Sequence, residues 1–166
     1  MREEFANVII EIAEKDKDVY LIVADYGHEL FDKFSKKFPE QYLNLGICEQ
    51  SIIGIAAGMA LEGLKPYVHT ITPFLIERPF EQIKLDIDQQ NVNVKLIGYA
   101  DYPKAGPTHS ELDAQKLMSL FKNIISYFPK NSKEAREALI ESYNSPKPTF
   151  ISLKKSSEDK IGALVI

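Results

Sequence analysis

The sequence predicts an α/β domain on a doubly wound, mostly parallel sheet flanked by helices, and three features carry that prediction. Short apolar runs alternate, along the whole chain, with segments whose apolar residues recur at helical spacing. The runs are continuous rather than alternating in polarity, as strands buried on both faces tend to be. At 166 residues the chain is long enough to bury a real core within one domain.

Taken in order, residues 3–15 place Phe5, Val8, Ile9 and Ile12 on one helical face. VYLIVA at 19–24 is a strand. Residues 29–38 carry Leu30, Phe31, Phe34 and Phe38 at helical spacing, and Pro39 closes that segment. QYLNL at 41–45 is a short strand, and a helix over 49–62 is stopped by Gly63. KPYVHTI at 65–71 is a strand, followed by an amphipathic helix over 74–89 with an irregularity at Pro79. The acids Glu81, Asp86 and Asp88 read as its solvated face. VNVKLIGY at 92–99 is a strand, 110–121 a helix, NIISYF at 123–128 a strand, 132–144 a helix, and PTFISLK at 148–154 the last strand. The expected domain spans 1–155, with 156–166 a weakly anchored C-terminal tail.

Composition excludes several function classes. Acidic residues outnumber basic ones, 24 to 20, so a nucleic-acid partner has no electrostatic support. No apolar run approaches the roughly 20 residues needed to cross a bilayer. The N-terminus is acidic and amphipathic rather than basic and then apolar, unlike a signal peptide. A lone cysteine, Cys48, leaves no internal disulfide and fits a reduced, cytoplasmic thiol. The phosphate loop, the GxGxxG fingerprint, the nucleophile elbow and the Cys/His metal cluster are all missing, and no metal ligands are expected in this chain.

In doubly wound sheets ligands sit outside the carboxyl ends of the strands, which directs attention to residues 25–28, 46–50, 70–74 and 100–109. Within LNLGICEQ, Glu49 opens a helix of small apolar residues, from Ile52 to Ala60. An acid at a helix start is favoured by the exposed amides and the dipole, by up to about 1 kcal/mol, and on the plain reading that is its whole purpose. The helix behind it is apolar on nearly every face, however, which implies neighbours all round and a first turn that is interior or at an interface. An acid held there can bond a nitrogen heterocycle. His109 follows a Gly-Pro turn at a strand end, where it can bond a carbonyl or meet a substrate. His28, after Gly27, admits the same two readings, whereas His69 lies inside a strand pattern and reads as structural. Phe74 begins a helix at another strand end and can be core or can stack on a flat ligand.

The stretches FPEQYLNLGICEQSIIGIAAGMALEGLKPYVHTITPFLIERPFEQIKLDI and NVNVKLIGYADYPKAGPTHSELDAQKLM, in that order, closely resemble the pyrimidine-binding domain of the transketolase family of thiamine diphosphate enzymes, over roughly residues 5–155. NLGICEQSIIGIAAGMALEGLKP is the most specific part, supported by RPFEQIKLDI and GPTH. The resemblance implies a role for each loop. Glu49 would bond N1′ of the cofactor's aminopyrimidine and favour the tautomer that removes the thiazolium C2 proton. Phe74 would stack on the pyrimidine, with Ile47 lining the same site and Asp25 standing near the thiazolium. His109, with His28 in a neighbouring loop, would face substrate. The family's G-D-G…N motif, which holds magnesium and the diphosphate, does not occur here. The resemblance therefore implies one half of a split enzyme, completed by a separately encoded diphosphate-binding subunit as an α2β2 assembly, with Mg2+ bound by that partner.

Departures from the family bear on substrate. Glu29 stands where a serine helps hold the donor phosphate, and an acid there repels phosphate. Lys104 and Ala105 replace the acids before GPTH, Tyr99 stands near an expected histidine, and a lysine near Lys154 replaces an arginine. These changes imply a modified sugar, a nucleotide-linked sugar or a 2-oxo acid rather than an ordinary pentose phosphate. Two rival readings are a β-like subunit of a 2-oxo acid decarboxylase or dehydrogenase, and a non-catalytic α/β module such as a phosphoacceptor receiver using Asp25. GPTH argues against the first, and Lys95 in mid-strand against the second.

Overall fold

The computed structural model describes residues 1–100 and 105–155; Lys104 and the expected tail at 156–166 lie outside them. The elements are α1 (Arg2–Ala13), β1 (Val19–Val23), α2 (Asp32–Lys37), β2 (Tyr42–Asn44), α3 (Glu49–Leu61), β3 (Lys65–Ile71), α4 (Thr72–Ile76), α5 (Phe80–Gln82), β4 (Lys95–Tyr99), α6 (Ala114–Met118), β5 (Ile125–Tyr127), α7 (Ser132–Asn144) and β6 (Thr149–Leu153). The six strands form one sheet in the order β2-β1-β3-β4-β6-β5. Every pairing is parallel, so the expected "mostly parallel" sheet is wholly parallel.

Period-two alternation of apolar side chains builds the two layers. Leu21, Val23, Tyr67, Ile97 and Ile151 face one side, where Phe5 and Ile9 of α1, Phe34 of α2 and Leu139 of α7 cover them. Ile22, Val68, Leu96 and Phe150 face the other, under Ile52, Ile53 and Ala56 of α3, Leu75 of α4 and Met118 of α6. Because both faces are buried, the strands read as continuous apolar runs in the sequence. From β1 the chain moves to β2 on one side and returns to β3 on the other. The crevice above β1 and β3 is thus a topological switch point, and the loops after β1, β2 and β3 border it.

The expected helix over 29–38 starts only at Asp32, because Gly27 (φ +95°) and Glu29 (φ +66°) turn the chain left-handed before it. The expected helix over 74–89 begins earlier, at Thr72, and breaks after Ile76. Pro79, which has no N–H and crowds the preceding turn, separates α4 from α5. The chain then continues through a π-helical turn, Ile83–Asp88, closed by the Gln89 amide on the Lys84 carbonyl at 3.1 Å. Asp88 is not on a solvated face: it is buried, and its carboxylate accepts from the Asn123 amide at 2.8 Å. The 110–121 segment is helical only over α6, where the Asp113 carboxylate caps the Lys116 amide.

Two buried polar groups in the sheet are structural. His69, fully buried among Phe5, Phe31 and Tyr26, donates Nδ1–H to the Ile97 carbonyl at 2.8 Å, and burial pushes its pKa down to about 3. Lys95, at the amino end of β4, donates to the carbonyls of Ser145 and Lys147 at 2.8 and 2.9 Å and so ties β4 to the turn after α7.

Burial lowers the Lys95 pKa from 10.5 to about 7. Between those values the unfolded chain binds a proton that the folded chain does not, so stability rises with pH across that window and levels off below it. Urea unfolding between pH 7.5 and 9.5 is expected to show this rise, approaching about 1.4 kcal/mol per pH unit. Lys95→Met should remove that part of the slope. Gly98 sits where α4 meets the sheet: an added Cβ would lie 2.5 Å from Thr72 Oγ1 and 3.3 Å from Phe150. Gly98→Ala is expected to lower unfolding free energy by about 1–3 kcal/mol through overpacking, read as a fall in the urea midpoint.

Candidate active site

β2 delivers the chain into the site. Gly46 adopts φ +78°, a conformation a side chain disfavours, and turns the backbone toward α3. Asn44 holds the turn: its Oδ1 accepts from the amides of Gly46 at 3.1 Å and Asp25 at 3.0 Å, and its Nδ2 donates to Asp25 Oδ1 at 3.3 Å. One side chain thus locks the loop after β1 to the loop after β2. Three residues beyond Gly46, Glu49 opens α3 with only 5% of its surface exposed.

The Glu49 carboxylate is paired. Arg78 Nη1 lies 3.2 Å from Oε1 and 3.3 Å from Oε2. Arg78 emerges from the break between α4 and α5, where Gln50 Nε2 donates to its carbonyl at 3.4 Å. Its guanidinium carbon lies 3.6 Å from the centroid of the Phe74 ring, a cation–π contact. Phe74 also meets His109 edge-on, with centroids 4.9 Å apart and planes at 68°. The Glu77 carboxylate accepts from the Leu112 amide at 2.8 Å, which ties the end of α4 to the segment after the Pro107–His109 turn. A pocket of about 380 Å³ opens here, lined by Ile47, Cys48, Glu49, Gln50, Ser51 and Arg78.

The sequence-predicted residues therefore fall into two groups. Glu49, Ile47 and Phe74 border one site, with His109 against Phe74. Asp25 and His28 form a second cluster above β1, His28 Nε2 lying 3.5 Å from Asp25 Oδ1, and Asn44 joins it to the Gly46 turn. Asp25 holds φ +49°, uncommon for a non-glycine residue. The imidazole of His28 is 80% exposed and that of His109 takes Thr108 Oγ1 at 3.1 Å from Nδ1. Arg78, Asn44 and Gln50 escaped sequence reasoning. The signal for Arg78 was present: a buried acid needs a cation, and between residues 38 and 83 the only lysine or arginine besides Arg78 is Lys65, which binds Asp16.

Within this chain α3 packs on one face only. Ile52, Ile53, Ala56 and Ala57 are buried against the sheet layer, but Ser51, Gly54, Ile55, Gly58 and Leu61 are exposed. A Cβ at Gly54 or Gly58 would meet open space. Small residues here leave a flat outward face instead of making room within the chain.

A family model described as "Transketolase, pyrimidine binding domain" matches residues 1–159. The chain belongs to this family. The pyrimidine-binding domain is 35% identical over 159 residues to an apulose-4-phosphate transketolase subunit of Actinobacillus succinogenes, covering 91% of this chain and 51% of that protein. It is 27% identical over 157 residues to a 6-deoxy-6-sulfo-D-fructose transketolase subunit of a Clostridium species, covering 92% and 49%. A solved structure described as "Split gene transketolase, inactive beta4 tetramer" superposes with a TM-score of 0.85 at 26% identity, over 99% of this chain and 54% of the other. The domain thus spans about half the length of these curated relatives. No helix among the described residues is long and apolar enough to cross a membrane.

Because the Asn44 side chain makes three hydrogen bonds at the junction of the two loop clusters, Asn44→Ala is expected to destabilise the domain by about 1–3 kcal/mol. Hydrogen exchange at the Asp25 and Gly46 amides should accelerate more than in the sheet, and equal protection in both forms would refute the coupling.

Proposed function

We propose that this chain is the pyrimidine-binding subunit of a two-chain, thiamine diphosphate-dependent transketolase-like enzyme that transfers a ketol or acyl unit. The observation that carries the reading is a nearly buried carboxylate, Glu49, on a pocket wall beside the stackable face of Phe74. That donor set fits an aminopyrimidine: one hydrogen-bonding acid for a ring nitrogen and one aromatic plane for the ring. When bound, thiamine diphosphate would supply a stabilised carbanion at its thiazolium C2. Glu49 would hold and return a proton at N1′, Phe74 would fix the ring plane, Ile47 would line the cofactor site, and Asp25 would stand on the thiazolium side. His109 and His28 would face the substrate.

The diphosphate and its Mg2+ would be held by a second, separately encoded chain, in an α2β2 assembly. Relatives named as transketolase subunits support the split arrangement. The open α3 face supports it too: Ile47, on the pocket wall, is 70% exposed, and Leu61, at the far end of α3, is 61% exposed. A chain seated there would bury them and dry the Glu49 site, strengthening its hydrogen bonds. The free Cys48 thiol suits a reducing cytoplasm.

The substrate we favour is a non-standard sugar. Glu29, exposed and held at φ +66° beside the Asp25 cluster, places a negative charge near the crevice above β1, and Ala105 offers no carboxylate. Two relatives are named for apulose 4-phosphate and a sulfonated fructose. A receiver-like role has no geometric support, because Lys95 sits at the opposite end of the sheet from Asp25 and is engaged with backbone carbonyls.

Reconstituted with its diphosphate-binding chain, Glu49→Gln should assemble normally yet slow hydrogen–deuterium exchange at the cofactor C2 by about 10²–10⁴-fold, followed by NMR after acid quench. Undiminished exchange in that variant would overturn the assignment. Turnover of xylulose 5-phosphate by the wild-type pair at an ordinary transketolase rate would overturn the substrate class.

A further inference from the structure

The arginine on Glu49 does more than neutralise an acid. Its planar guanidinium covers the face of Phe74 at 3.6 Å, the separation of stacked rings, while Nη1 reaches both Glu49 oxygens. A flat ring that stacked on this face and bonded this carboxylate would have to occupy the same space and use the same two groups. The His109 ring already sits edge-on against Phe74. The Arg78 side chain remains 40% exposed, and it enters from the short connection between α4 and α5, so it has solvent to swing into.

We propose that Arg78 is the resting occupant of the pyrimidine site: it holds Glu49 and Phe74 in binding geometry in the empty subunit and must be displaced when an aminopyrimidine enters. This rests on the reading of Glu49 and Phe74 given above. In the empty chain the arginine keeps a nearly buried carboxylate from standing unpaired and keeps the aromatic face from closing onto a neighbour. The same contacts then compete with the ligand. Cofactor affinity is set by a difference between two stacked, carboxylate-bound states instead of by the ligand's contacts alone.

The test uses the full chain and 4-amino-2,5-dimethylpyrimidine as the probe, followed by amide and arginine Nε shifts in NMR titrations. Wild type should bind weakly, with the Arg78 Nε–H signal moving to a solvent-exchanging position at saturation. Arg78→Leu should bind about five- to tenfold more tightly, since the competing cation–π contact and ion pair are gone. Arg78→Lys, which keeps charge but loses the flat fork, should fall between the two. Equal or weaker binding by Arg78→Leu, or an Arg78 signal unmoved at saturation, would overturn the proposal; the wild-type signal decides the matter even if the leucine variant folds poorly. Glu49→Gln separates the site from the displacement. Probe binding that ignores this substitution, or no binding by any form, removes the pyrimidine site itself and the displacement with it. Glu49-dependent binding without a gain in Arg78→Leu removes the displacement alone.

Discussion

A carboxylate withheld from water has to be answered by something, and in this chain the answer to Glu49 organises the surroundings. Arg78 reaches it from a different crossover, 29 residues along the chain, and lies on Phe74 as it does so. The segments after β2 and β3 are thereby held at one point, and His109 from the turn after β4 meets Phe74 there. The pairing is electrostatic, but its geometry is set by stacking, because only a planar cation can lie flat on a ring and still present donors at its edge. Arg78 stands four residues beyond Phe74, one helical turn, just before the break at Pro79, and that spacing sets its side chain over the ring.

The sheet supplies the precision on which that pairing relies. Parallel registry sets Val23 beside His69 and His69 beside Ile97, so the strands end together and their loops emerge on a common rim. Gly98 is the closest tolerance in this frame: its missing side chain lets Thr72 sit against β4, and α4 starts there, two residues before Phe74. Small residues in α3 serve a different purpose. Its inner face packs on the sheet, and its outer face is kept low and apolar, as a surface that another chain can approach closely.

Polar chemistry is divided between the two ends of the sheet. At the amino end, Lys95 and Asp16 spend their hydrogen bonds on backbone and on a neighbouring chain segment, holding connections in place. At the carboxyl end, Asn44 satisfies two backbone amides that would otherwise be loose, and leaves the Asp25 and Glu49 loops fixed relative to each other. His28, on the Asp25 loop, is the more open of the two loop histidines, while His109, in the turn after β4, packs against Phe74.

The order of elements, β3 and α7 to the residue, and Glu49 as the first residue of a helix were all legible in the sequence, because each depends on neighbours within a few positions: apolar period, a capping asparagine at 131, a terminating glycine at 63. The resemblance carried by NLGICEQSIIGIAAGMALEGLKP also pointed to the family that the comparisons show. What escaped were facts about distance through space. The sequence held a signal for Arg78 in its scarcity of cations but not the contact itself, and it did not show that Asp88 turns inward to an amide of Asn123 or that, within this chain, α3 is covered on one side only. Local pattern records how apolar a face is, while the contact that face makes, or lacks, is set by where the crossovers bring the rest of the chain.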